Sequence, residues 1–237
     1  MKTQRTHDKL YLKEERYENT KEMFKFIVAN SFKKDELNCK INICDFGCAN
    51  GEFLFFLNKL SKASLYGLDI LSELLIKAKK FVPQANFVNG SVTNKNIFNS
   101  NKFDKSFLTG VHSIFDEFET PFNNLIYWTK PGGNIIITGI FNSYPIDVYV
   151  KYKESKNYQS EYYEEGWNIF SIKSISDFLD NVEKVKSYSF KKFEIGIDLE
   201  KQSDPVRSWT IKEKNNKRII TNGLSILQQH YTLIIDL

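Results

Sequence analysis

The sequence predicts an α/β fold: a three-layer, mostly parallel sheet with helices on both faces and an antiparallel C-terminal hairpin at its edge. Three observations carry this expectation. Short runs rich in Ile, Leu, Val and Phe, bounded by glycine, asparagine or proline, alternate with helix-period stretches across residues 41–141. Strand and helix repeated in that order argue for parallel strands joined by helical crossovers. After one further helix, two longer strand-like runs close the chain and suit an antiparallel pair.

Taken in order, residues 14–32 place Tyr17, Met23, Phe24, Ile27, Val28 and Phe32 at helical spacing, which predicts a leading amphipathic helix. Strands are expected at 41–45, 64–69, 85–89, 103–109 and 134–141, with helices at 51–61, 71–81 and 115–129 between them. Residues 172–181 read as a late helix opened by Ser174, with Asp177 three residues on. The final strands are expected at 185–197 and 226–235. Two inserts, the aromatic-rich 142–171 and the later 198–223, are expected to cover a ligand site. The chain therefore reads as a single domain over 1–237, with a helical cap at 1–38 and a ligand-binding core at 41–141.

Composition narrows the function classes. With 237 residues, 41% of them hydrophobic, the chain can bury one full core. Its net charge of +4 comes from 33 basic and 29 acidic residues, the positive charge spread along the whole length, which is a weak footprint for nucleic acid. The first twenty residues are polar and no apolar run is long enough to span a bilayer, so a cytoplasmic protein without membrane association is expected. Cys39, Cys44 and Cys48 lack the spacing of a disulfide framework or a zinc site and read as buried thiols.

The most informative stretch is NICDFGCANGEFLFFL, residues 42–57, in which a strand passes through a glycine turn into a helix. Such a turn brings backbone N–H groups close to a ligand at the helix N-terminus. A dinucleotide loop with its first glycine at Gly47 needs glycines where Ala49 and Glu52 stand. A phosphate loop needs Lys and then Ser or Thr after Gly51, which Glu52 and Phe53 follow instead. Asp45 at the mouth of the turn would repel a pyrophosphate but favour a ligand with ammonium and sulfonium charges. S-adenosylmethionine carries both, and its carboxylate can lie toward Asn50 and Gly51.

DFGCANG resembles motif I of the class I, Rossmann-like S-adenosylmethionine-dependent methyltransferases, with Ala49 in place of the usual middle glycine. In that family an acid such as Asp69, at the end of SLYGLDI, binds both ribose hydroxyls, and Ile70 and Leu71 would flank the adenine. Gly90, Ser91 and Val92 of FVNGSV stand where the family reads the adenine edge. FDKSFLTGVHSIFD, which includes Thr109, resembles the fourth strand, and TKPGGNIIITGIF the turn into the fifth. The resemblance covers residues 42–141 and implies S-adenosylmethionine as cofactor, with S-adenosylhomocysteine as product. It also implies a binding set of Asp45, Gly47, Cys48, Ala49, Asn50, Gly51, Asp69, Ile70, Leu71, Gly90, Ser91, Val92 and Thr109.

Methyl transfer asks the protein for alignment, exclusion of water and, for a hydroxyl acceptor, removal of a proton. The acceptor is expected beyond the carboxyl ends of the strands, at 109–117 and 141–144. Candidate catalytic residues there are His112, with Asp116 four residues on to orient it, and Asn142. His112, Glu117, Tyr144, Trp167 and Arg207 are candidate acceptor contacts. A packed imidazole and a solvated acidic face are the competing readings, and His7 and His230 receive no role. No Asn/Asp-Pro-Pro-Tyr box and no paired acids of the metal-dependent catechol type are evident, so a small-molecule acceptor and no metal are expected. GWNIFS, FEIGIDL and DPVRSWTIK together resemble methyltransferases found with bacterial surface-polysaccharide genes, which implies O-methylation of a sugar or sugar-linked group in capsule or lipopolysaccharide by a monomer or homodimer. The alternatives are an RNA or protein methyltransferase, or a non-catalytic cofactor-binding partner.

Overall fold

A computed structural model describes residues 2–13 and 15–237. The central sheet contains β1 (Asn42–Phe46), β2 (Ser64–Asp69), β3 (Asn86–Asn89), β4 (Phe103–Thr109), β5 (Thr129–Asn142), β6 (Ser187–Lys192) and β7 (His230–Asp236). Their spatial order is β3-β2-β1-β4-β5-β7-β6, and the two-residue strand Phe170–Ser171 pairs with the end of β5. The first five strands run parallel. β7 is antiparallel to β5, and β6 is antiparallel to β7, which is the edge hairpin the sequence predicts. Strand order reverses between β1 and β4, and the fold of an open α/β sheet places a crevice at the carboxyl ends there.

Among the described residues, five α-helices cover the two faces: α1 (Glu22–Ser31), α2 (Glu52–Leu60), α3 (Ser72–Phe81), α4 (Glu119–Trp128) and α5 (Ile172–Asp180). Alternation along each strand sorts the core. Ile43, Phe107 and Ile136 pack with Phe24, Leu54 and Leu75 of α1, α2 and α3. Cys44, Leu108 and Ile137 face the other way, onto Leu125 and Trp128 of α4 and Leu179 of α5. Each parallel strand is thus apolar on both sides, as burial between helical layers demands.

Several boundaries depart from expectation for identifiable reasons. The leading helix begins at Glu22, while His7–Lys13 forms a 3-10 helix held to α3 by Lys77 Nζ donating to Leu12 O at 2.9 Å. Tyr17, expected on a helix face, instead stacks on Phe81 at 3.7 Å and donates its hydroxyl to Asn50 O at 2.7 Å. β5 starts at Thr129 rather than 134, because the Lys130-Pro131-Gly132-Gly133 turn is absorbed as a register shift between Phe103 and Lys105, with Gly132 at φ +79°. Lys2–Gln4 pairs parallel with Tyr162–Glu165, which pairs with Lys151–Tyr152, so the N-terminal segment and the first insert share a small sheet. Cys44 and Cys48 are buried, but Cys39 is exposed, because it lies in the loop before β1 rather than in the strand.

The cap of α5 is also not the expected one. Ser171, not Ser174, is the N-cap: its Oγ accepts from Ser174 N at 2.9 Å. Ser174 Oγ instead donates to Asp147 Oδ2 at 2.8 Å. Ser171→Ala is expected to cost about 1 kcal/mol, the usual loss of an N-cap acceptor. Urea denaturation checks this, and an unchanged midpoint would count against the cap.

Candidate active site

A cleft of about 840 Å³ opens at the carboxyl ends of β1, β4 and β5. Its first wall is the turn between β1 and α2. Gly47 N and Cys48 N both donate to Leu68 O, at 2.7 and 3.0 Å, and Ala49 N donates to Asp69 Oδ2 at 2.8 Å. The turn is thereby fastened to the end of β2. Gly47, Ala49 and Gly51 have φ of +76°, +47° and +80°, so the alanine occupies the left-handed region that glycine usually serves.

Asp45 is 3% exposed, and its Oδ1 has no hydrogen-bond partner among the described residues. Burial pushes its pKa up to about 7, with Asp69 adding to the rise and Lys21 opposing it. A buried acceptor left unmatched by the protein is costly unless a ligand supplies the donor. Asp69 lies at the next strand end, where its Oδ1 accepts from Leu71 N at 2.9 Å. Burial raises its pKa too, against the two N–H groups of Leu71 and Ala49 that favour the anion. Beside it Ile70 is 59% exposed within the cleft wall, an apolar surface without a protein partner.

Of the thirteen residues expected to bind the cofactor, all but Gly51 line this cleft. Gly51 is the N-cap of α2, and a Cβ there would stand 2.9 Å from Ala78 Cβ, so it serves the approach of α2 to α3. Ser91 Oγ is engaged with Thr93 Oγ1 at 2.7 Å. Thr109, at the end of β4, has a buried hydroxyl without a partner among the described residues.

The expected catalytic group is not assembled. His112 is fully buried beneath the cleft: its ring stacks on Phe141 with 4.6 Å between centroids, and Nε2 lies 3.4 Å from Ile140 O. Burial lowers its pKa to about 4. Gly139 makes room for it, since a Cβ there would meet His112 Cε1 at 2.3 Å. Asp116 does not orient this ring; it pairs with Lys151 at 3.2 Å and accepts from Asn168 Nδ2 at 3.1 Å. Glu117 accepts from Thr120 N at 2.9 Å and lines a separate shallow depression with Asp116. Asn142 donates to Ile146 O at 2.9 Å, and Tyr144 is 71% exposed; neither lines the cleft. The reason is local: residues 112–114 form a 3-10 turn that folds His112 inward and leaves Ser113, Ile114 and Phe115 at the surface of the cleft.

Trp167 and Arg207 do line it, in company the sequence did not indicate. His7 Nδ1 lies 2.6 Å from Asp204 Oδ2, and the His7 ring meets Tyr11 and Trp167 edge-on at 5.8 and 5.3 Å. Arg207 sits over the Tyr11 ring at 5.0 Å, and Trp167 Nε1 donates to Val206 O at 3.3 Å. The N-terminal segment and both inserts therefore meet as one roof. A further wall comes from Phe193, Ile195, Ile197 and Leu199. These keep the strand-like alternation the sequence shows, but β6 ends at Lys192, opposite Tyr231, and the chain then leaves the sheet to line the cleft. His230, at the start of β7, also faces the cavity.

Residues 37–203 match the family described as "Methyltransferase domain", well over half of the chain, and the protein belongs to that family. It is an S-adenosylmethionine-dependent methyltransferase with the class I, Rossmann-like fold. Solved structures share the fold at low identity. The YcgJ protein of Bacillus subtilis superposes with a TM-score of 0.60 at 11% identity, over 90% of this chain and 97% of that one. A chain from the Haloferax volcanii complex of the Trm112 methyltransferase activator with a methyltransferase gives 0.63 at 13% identity, over 99% of both. A Thermotoga maritima S-adenosylmethionine-dependent methyltransferase, described as a possible histamine N-methyltransferase, gives 0.52 at 12%, over 96% and 91%. No curated protein matches the sequence significantly. Among the described residues, no helix is long and apolar enough to cross a membrane.

Proposed function

We propose that the cleft binds S-adenosylmethionine at its β1–β2 side and O-methylates a small acceptor, a sugar or sugar-linked group of surface-polysaccharide biosynthesis, at its β5–β7 side. The observation that carries the cofactor half is the unpartnered Asp45 Oδ1, a buried carboxyl acceptor in the cleft wall that an ammonium donor satisfies. Asp69 offers its carboxylate to the ribose, Ile70 and Leu71 offer an apolar face to the adenine, and the turn from Gly47 to Asn50 lies against the amino-acid end. When bound, the cofactor supplies a methyl carbon made electrophilic by the adjoining sulfonium. The protein's residues orient the two reactants and exclude water, which is most of what an in-line displacement requires.

The acceptor half rests on the roof and the apolar wall. The His7, Asp204 and Trp167 contacts form a roof over part of the cleft, which favours a small molecule over a polymer. Trp167 and Tyr11 offer ring faces and edges for a sugar, while Phe193, Ile195, Ile197 and Leu199 suit an apolar group linked to it. In this reading the protein is a single domain over 1–237, cytoplasmic, a monomer or homodimer, with the cap at 1–38 and the inserts 142–171 and 198–223 covering the core at 41–141. The test is methyl transfer from S-adenosylmethionine, followed by mass spectrometry, against octyl β-D-glucoside below its micellar concentration, free sugars, RNA and protein. Methylated glucoside is the expected product; methylated RNA or protein in its place would overturn the acceptor assignment.

A further inference from the structure

We propose that His230 touches the acceptor and takes its hydroxyl proton during methyl transfer, an assignment that rests on the O-methylation reading above. Strand register places it. Asp45 pairs with Phe107, Thr109 with Thr138, and Ile140 with His230, so Asp45, Thr109, Ile140 and His230 project from the same face of four neighbouring strands. The Thr138 and Thr232 hydroxyls, 3.0 Å apart, confirm the shared face. His230 stands three strand spacings, about 14 Å, across the sheet from Asp45 and four residues, about 13 Å, further along the strand direction, at the opposite end of the cleft floor.

Its surroundings keep the ring neutral and leave its nitrogens unengaged. The ring lines the cleft, and no hydrogen bond or ion pair to another described residue holds either nitrogen. The backbone is fixed, because Phe193 N donates to His230 O at 2.9 Å. Part of the residue's surface is accessible and faces the cleft, and burial lowers the pKa to about 4. The imidazole is therefore neutral through the ordinary pH range, with one nitrogen lone pair unused. The chain's other two imidazoles are committed elsewhere. His112 lies under the floor, and His7 gives its Nδ1–H to Asp204 while its Nε2 is buried from solvent.

In the reaction the acceptor oxygen bonds to the methyl carbon as that carbon's bond to the donor sulfur breaks, its electron pair staying on sulfur. The hydroxyl proton passes to the free His230 nitrogen, and the imidazolium formed returns it to solvent. Two measurements test this. In protein labelled with ¹⁵N-histidine and loaded with S-adenosylhomocysteine, added phenol, a simple hydroxyl compound with an apolar face, is expected to shift the His230 ring signals and to leave those of His112 in place. His230→Ala is expected to lower turnover with octyl β-D-glucoside about 100-fold, as loss of a proton acceptor does, with S-adenosylhomocysteine affinity held within about twofold. A ring signal unmoved by phenol overturns the proposal. So does full turnover in His230→Ala, or a loss of turnover found in His7→Ala instead. If the wild-type enzyme binds S-adenosylhomocysteine but transfers nothing to the glucoside, the acceptor class is refuted, and the phenol titration alone decides on His230.

Discussion

Replacing Asp45 by asparagine is expected to raise the melting temperature of the ligand-free protein and to weaken S-adenosylhomocysteine binding about 10- to 100-fold. Both effects have one cause. A hydrogen bond to a charged group contributes about 1.5–3 kcal/mol, and each 1.4 kcal/mol is roughly a tenfold change in affinity. Without ligand the same carboxylate is a buried anion lacking a partner at Oδ1, with its pKa raised to about 7. Because that pKa lies above the unfolded value, the group's contribution to stability is fully present below the unfolded pKa and is lost as pH rises toward 7. The asparagine variant removes this loss. Ligand binding runs the other way: an ammonium prefers the ionised carboxylate, so affinity is full above pH 7 and falls by up to about tenfold per pH unit below it, with proton release on binding. Calorimetry at pH 6, 7 and 8 with wild type and Asp45→Asn checks both signs. Equal affinity in the variant, with the same pH dependence, would remove Asp45 from the site.

That the sequence singles out Asp45 and gives His230 no role has a physical explanation. The turn from Asp45 to Gly51 is local, so chain order alone brings its carboxylate, its left-handed positions and the N-terminus of α2 together. The five parallel strands are legible for a similar reason, since each strand–helix unit carries its own periodicity. The acceptor side is assembled from distant segments. His7 and Asp204 meet across 197 positions, and Phe193 to Leu199 become a wall only because the chain leaves β7 after the bond from Phe193 N to His230 O. No spacing rule in the sequence records such meetings. His112 stands at the expected place in the chain, but a single 3-10 turn rotates its ring out of the cleft and brings Ser113 into it. A register for β7 would have found His230, and that register depends on a pairing with β5 that is 90 residues away in sequence.

The same logic separates glycines that shape the site from glycines that only turn the chain. Gly47→Ala is expected to cost about 2–4 kcal/mol of stability, combining about 1 kcal/mol for an alanine in the left-handed region with about 1–3 kcal/mol for overpacking. Gly47 has φ +76°, and a Cβ there would lie 2.3 Å from Val111 Cγ2. The turn cannot retreat, because Gly47 N and Cys48 N are both bound to Leu68 O. Val111 must therefore give way, and it leads directly into the 112–114 turn that presents Ser113 to the cleft. S-adenosylhomocysteine affinity is expected to fall by at least about tenfold, the equivalent of roughly 1.4 kcal/mol of misplaced contact. Gly132→Ala is the comparison: its φ is +79°, but nothing lies within 4 Å of an added Cβ, and it lies outside the cleft. It should lose only the backbone term, about 1 kcal/mol, and bind S-adenosylhomocysteine as the wild type does. Urea denaturation and calorimetry on the two variants measure both quantities. If they lose equal stability and both retain full affinity, the contact between Gly47 and Val111 does not hold the cleft in shape.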